Sequence, residues 1–100
     1  MASTILYKQA AQTEISDIAE YLERQRLGFG RLFIAEIRRI EHFLRDNPGL
    51  YQPVNGPLRR AVLHRFPYGL FYIVEDERVL VLACFHLHRS PRSYLDLITR

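Results

Sequence analysis

Two groups of residues have the types and spacing to do chemistry. Arg59, Arg60 and Arg65 fall on one predicted strand, and His86, His88, Arg89 and Tyr94 gather near the end of the chain. Cutting RNA at its 2′-hydroxyl needs a base for the hydroxyl proton, an acid for the leaving oxygen and cations for the charge that builds on phosphorus. Arg60, Arg65, His86, His88, Arg89 and Tyr94 are the candidates for those roles. His86 and His88 stand two apart, so on a strand they share a face. With helices on the Phe85 face, both imidazoles lie on the open face of the sheet. The same pair also reads as structural, because histidines at the end of a half-buried strand commonly are. No acid occurs from Arg59 to Val74. That bias gives Arg59, Arg60 and Arg65, with Arg89, an anion-facing or partner-facing role. RNA phosphates and the carboxylates of a protein partner would serve equally as the anion.

Other chemistries find less support. His86-x-His88 offers two metal ligands, but no second cysteine or nearby carboxylate completes a set, so no metal site is expected. Cys84 reads as a small buried hydrophobe. Gly28 and Gly30 lack the lysine of a phosphate loop, no Ser–His–Asp arrangement is suggested, and no cofactor is expected. Arg38 and Arg39, with Glu36 and Glu41, read as a solvated charged face. Phe66, Tyr68, Phe71, Tyr72 and Phe85 read as core rather than as a base-stacking platform.

The 100 residues suffice for one domain with one modest core, expected to span 1–100 with 89–100 as a C-terminal tail. A hydrophobic fraction of 48% and a charged fraction of 25% suit a globular protein. No apolar run approaches the ~20 residues of a bilayer span, and no secretory signal is apparent. With a single cysteine, a cytoplasmic location without membrane contact is the expectation. The net charge is +3. Cations and acids balance at seven each up to Leu58, and from Arg59 onward seven arginines face four acids, so the excess lies in the second half. A basic second half suits an anionic partner.

The elements that must position these residues are readable. Ser3 to Tyr7 is short and β-leaning. From about Ala10 to Arg26, Ala11, Ile15, Ile18 and Leu22 repeat at helical spacing, with Glu14, Asp17, Glu20 and Glu23 off the stripe. Gly28 and Gly30 break that helix. Phe33, Ile37, Ile40 and Leu44 mark a second, ended by Asn47-Pro48-Gly49. A loop rich in turn residues follows (Pro53, Asn55, Gly56, Pro57). Strands are predicted over Arg59–Phe66, Gly69–Glu75 and Val79–Leu87. In the last, Val79, Val81, Ala83, Phe85 and Leu87 take one face and Leu80, Leu82, Cys84, His86 and His88 the other. The tail after Arg89 reads either as a last helical turn on the domain or as a mobile end that folds on a partner. The fold class is α+β, in the order β-α-α-β-β-β, with a helical hairpin on a small, mainly antiparallel sheet.

This order, and several words of the sequence, resemble the RelE/ParE superfamily of type II toxins. Ala11…Asp17-Ile18…Tyr21-Leu22 is similar to the family's first helix, and Gly30-Arg31-Leu32-Phe33…Ile37 to the start of its second. Asn47-Pro48…Tyr51-Gln52-Pro53-Val54 is similar to the loop that follows. The most telling stretch is Leu58-Arg59-Arg60-Ala61-Val62-Leu63-His64-Arg65-Phe66-Pro67-Tyr68, continued by Leu70 to Val74, Val79 to Ala83, and His86…Arg89-Ser90-Pro91. These words resemble the ParE branch, often labelled plasmid stabilisation proteins. Many members have Arg-Asp-Pro and then a tryptophan at the end of the last strand, whereas this chain has Arg89-Ser90-Pro91, Tyr94 and no tryptophan. The resemblance implies a toxin held inactive by a cognate antitoxin that wraps the hairpin and sheet. It also implies a homodimer, or a two-plus-two complex with antitoxin. ParE-like members poison DNA gyrase and have no catalytic residues of their own. RelE-like members enter the ribosome and cut messenger RNA. A non-toxic binding module on the same fold is a third outcome. Both activities occur on one fold, so the fold does not choose between them.

Overall fold

The computed structural model describes residues 3–89 and 94–100, with only the backbone of Tyr94. The chain opens with strand β1 (Thr4–Tyr7), followed by helices α1 (Gln9–Gln25) and α2 (Phe29–Asp46). Strands β2 (Pro53–Asn55), β3 (Leu58–Val62), β4 (Tyr68–Glu75) and β5 (Arg78–His86) come next, and then a short helix, α3 (Tyr94–Ile98). The expected order holds, with one addition: the turn-rich loop holds β2, whose exposed residues pair with β3. Of the two readings of the tail, the structure has the helical one, as α3.

The strands make one sheet in the order β1-β5-β4-β3-β2. Every pairing is antiparallel except that of β1 with β5. The two helices lie together on one face. Their apolar stripes meet the sheet through Ala11, Leu22, Phe33, Ile37, Ile40 and Leu44, all buried. A smaller cluster fills the opposite face, where Leu58, Phe71, Ile73, Leu82 and Phe85 pack with Leu97 of α3. Buried on both faces, β4 has no room for a polar residue from Tyr68 to Ile73.

The hairpin turn is closely built. Gly28 has φ +93°, the left-handed region that favours glycine. A Cβ on Gly30 would stand 2.6 Å from the carbonyl oxygen of Ala19, so the helices cross in contact there. The Glu23 carboxylate accepts from Gly28 N at 2.9 Å and Gly30 N at 3.0 Å, satisfying two donors that the start of α2 would otherwise leave open. Tyr72 is fully buried, and its hydroxyl donates to Pro48 O at 3.3 Å. Burial pushes its ionisation up to about 12.

One irregularity decides which face the chemistry-bearing residues occupy. Phe71 pairs with Ala83, but Tyr72 pairs with Val81, so Leu82 is an extra residue in β5. Up to Val81 the odd residues face the helices. Beyond the bulge the even ones do, and Cys84 packs in the helix-side cluster while Ala83 and Phe85 join the other. The expected strict alternation therefore fails, because an inserted residue exchanges the faces of everything after it.

Candidate partner-binding face

The open face of the sheet carries a bowl of about 370 Å³, lined among others by Arg60 of β3 and by Arg89 just after β5. Its floor is apolar, with Leu58, Phe71, Phe85 and Leu97. Phe71 and Phe85 stack with ring centroids 4.3 Å apart. The Arg89 guanidinium lies 5.7 Å from the Phe85 ring centroid, which holds its charge at the edge of the bowl. Among the described residues lining this bowl, none is acidic and none is a histidine. Two arginines over an aromatic floor suit a segment that brings both carboxylates and apolar side chains.

Arg59 and Arg65 lie elsewhere. Arg59 points to the helix side of β3 and donates to Tyr51 O at 2.6 Å and, more weakly, to Gly49 O at 3.5 Å. Its guanidinium holds the loop after α2. Arg65 follows β3 and lines a shallow cavity on the helix side with Leu32, Glu36, Arg39 and His64.

The histidines are also on the other side from the bowl. Regular alternation in β5 predicts that the helices cover the Phe85 face and leave both imidazoles on the open one. The bulge at Leu82 reverses this. His86 sits at the helix-side end of the sheet, edge-on to Tyr68 with centroids 5.2 Å apart, in a cleft that Glu14, Asp17 and Cys84 also line. The His88 ring is 5.1 Å from it. Nδ1 of His86 accepts the backbone N–H of His88 at 3.1 Å. A neutral imidazole with that bond carries its proton on Nε2 and has its one lone pair engaged by the backbone. Burial raises the pKa of the neighbouring Tyr68 hydroxyl, so it stays protonated. Arg89 lines this cleft as well as the bowl. The side chain of Tyr94, and Ser90-Pro91, lie outside the described residues.

Sequence reasoning missed three acids. Glu36, expected in a solvated face, is buried. It accepts from His64 N at 2.6 Å and from Arg65 N at 3.2 Å, with Arg39 Nη2 3.9 Å away. Its place inside the apolar arc, three residues after Phe33 and beside Ile37, was the available signal. Glu41 accepts the Tyr7 hydroxyl. Glu14 accepts from Cys84 N at 3.0 Å and pairs with Arg100 at 2.7 Å. Lys8 Nζ donates to the carbonyls of Ile98 at 2.8 Å and Arg100 at 3.0 Å. This clasp fixes the end of α3, whose Leu97 lines the bowl. Among the described residues no group of three or more metal-ligating side chains is present, and no helix is long and apolar enough to cross a membrane.

Residues 5–91 match the family model described as the ParE toxin of the type II toxin–antitoxin system parDE. The chain belongs to the ParE toxin family. It is thus a type II toxin by family, on the fold that the superfamily shares. A chain of the chromosomal ParDE system of P. aeruginosa superposes with a TM-score of 0.73 at 15% identity, covering 85% of this toxin and 96% of that chain. A mutant of E. coli toxin RelE in the free state gives 0.71 at 17% identity, over 100% and 98% of the two chains. The RelBE2 toxin–antitoxin complex of M. tuberculosis gives 0.62 at 16%, over 86% and 99%. No curated protein matches the sequence at a significant level. These likenesses establish the fold, and they include both ParE and RelE structures.

Proposed function

We propose that this toxin arrests DNA gyrase by binding it, carries out no covalent chemistry, and is neutralised by a cognate antitoxin. The observation that supports binding over cleavage is the division of the candidate residues across the sheet. Arg60 lies on the open face, whereas His86 lies on the helix side with its Nδ1 lone pair already engaged. An RNA phosphate in the His86 cleft would also meet the carboxylate of Asp17. The bowl lacks an acid–base pair but suits an acidic, apolar segment, and the antitoxin is assigned there.

The second reading is a ribosome-dependent endoribonuclease. Arg89 favours it, because that one residue borders both the bowl and the His86 cleft. Inducing the chain alone in a bacterial host and mapping RNA 5′ ends separates the two. Intact messages with an induced DNA-damage response, and inhibited supercoiling by the purified protein, are the expected result. New ends in phase with codons, lost on Arg60→Ala or His86→Ala, would replace this proposal with the nuclease. Harmless expression would leave a binding module.

A further inference from the structure

The end of the molecule where α1 turns into α2 is convex and rich in arginine, and lies apart from the bowl. Leu27, in the turn, is 91% exposed, the highest value among the exposed large apolar residues described. A single exposed leucine is ordinary on a protein surface. This one differs in what lies beneath it. Glu23 fixes the backbone on both sides of Phe29 through Gly28 N and Gly30 N. Phe29 N donates to Arg26 O at 3.0 Å, and Leu32 N to Gly28 O at 3.1 Å. The Arg26 guanidinium lies 5.4 Å from the Phe29 centroid, and Phe29 meets Phe66 edge-on at 5.6 Å, which ties the turn to the loop between β3 and β4. An apolar side chain on so constrained a backbone loses little freedom on binding.

The charges around it are weighted toward arginine. Glu23 and Glu36 are engaged by backbone N–H groups, and Glu20 pairs with Arg24 at 3.3 Å. Among the described residues, no carboxylate pairs with Arg26, Arg31 or Arg65. Leu32, also exposed, shares a shallow cavity with Arg65 and Arg39. Two leucines are thus set among arginines, of which Arg26, Arg31 and Arg65 have no carboxylate partner among the described residues.

We infer that this hairpin tip is the surface by which the toxin grips its target, Leu27 entering an apolar, acid-rimmed pocket on gyrase. The inference rests on the gyrase reading and names the surface that reading requires. Shape selects a folded target over the antitoxin. An extended segment needs a concavity, and the chain offers it the bowl and a groove of about 770 Å³ between α1 and α2, lined by Ile15, Ala19, Ile34 and Ile37. A convex tip needs the concavity on the partner. The apolar apex selects protein over nucleic acid, because phosphate binding needs only the arginines.

The test is inhibition of gyrase supercoiling by the purified full chain, comparing the unaltered sequence with Leu27→Ser, Leu27→Met and Arg31→Glu. Leu27→Ser should raise the half-inhibiting concentration at least about tenfold, Leu27→Met should stay close to the original, and Arg31→Glu should weaken inhibition. All three should melt like the unaltered protein, because Leu27 and Arg31 are exposed. Leu27→Ser as potent as the original sequence overturns the inference and leaves the gyrase reading intact. An unaltered protein that leaves supercoiling untouched removes both. A matching loss of affinity for labelled duplex DNA without gyrase would assign the tip to nucleic acid and overturn the protein pocket.

Discussion

Replacing Glu36 by alanine removes a carboxylate that serves two backbone donors. The His64 and Arg65 N–H groups meet its carboxylate at 2.6 Å and 3.2 Å. A hydrogen bond to a charged group is worth about 1.5–3 kcal/mol. His64 and Arg65 are exposed, so water replaces part of each bond, and a loss near the lower bound for each is expected, about 2–3 kcal/mol in all. Two smaller effects oppose each other. Alanine is the better helix former by a few tenths of a kcal/mol (~0.3). Against that, Arg39 Nη2, buried without a hydrogen-bond partner, loses its nearest anion. For a domain of this size each kcal/mol lowers Tm by about 4–8 °C, so Glu36→Ala should melt roughly 8–24 °C lower. Glu36→Gln retains one acceptor oxygen and should lose about half as much. Thermal unfolding followed by circular dichroism, with urea titration at one temperature, measures both. A Glu36→Ala protein melting within ~3 °C of the original would refute the claim that this carboxylate holds the β3–β4 turn.

Gly30→Ala forces a Cβ against the Ala19 carbonyl, and a loss of about 1–3 kcal/mol in urea unfolding is expected. Leu97→Ala empties the apolar seat of α3, with a loss of about 2–4 kcal/mol and faster proteolysis near the C-terminus; unchanged cleavage would argue against the clasp. Burial pushes the Cys84 thiol up to about 12, so a maleimide at pH 8 should label the native protein far more slowly than the urea-unfolded one. Raised ionisation in the fold stabilises only below the unfolded value. Stability should therefore hold up to about pH 9, the ordinary thiol value, then fall as pH rises toward about 12, by up to ~1.4 kcal/mol per pH unit for the thiol, joined by Tyr72 above pH 10. A flat profile between pH 9 and 11 would contradict the assigned burial.

The helices and β4 were legible because their signals are redundant. Phe33, Ile37, Ile40 and Leu44 could form only one stripe, and Leu70 to Val74 left no solvent face to assign. The position of the histidines was not legible. Strand periodicity places His86 correctly only if β5 is regular, and the apolar run Val79–Phe85 has no polar residue to reveal that Leu82 is extra. Arg59 and Arg60 illustrate the same limit. They are adjacent and identical in type, yet one is consumed by the carbonyl of Tyr51 and the other lines the bowl. Acids at the margins of helical stripes, such as Glu14 and Glu36, look solvated in a sequence because their backbone partners are 70 and 28 residues away.

The parallel pairing of β1 with β5 has a consequence for how the toxin is made. Thr4 lies opposite Arg78, a separation of 78 − 4 = 74 residues, whereas α1–α2 and β4–β5 are each joined by a short local turn. Local pairs close first and distant ones last, because the entropy of bringing ends together grows with the chain between them. On the ribosome the first strand is therefore synthesised long before its partner exists. Its side chains Ile5 and Tyr7, which pack against the main core, must wait in the open until β5 has emerged. The sheet therefore cannot take up β1 until β5, with Arg78 opposite Thr4, has been made.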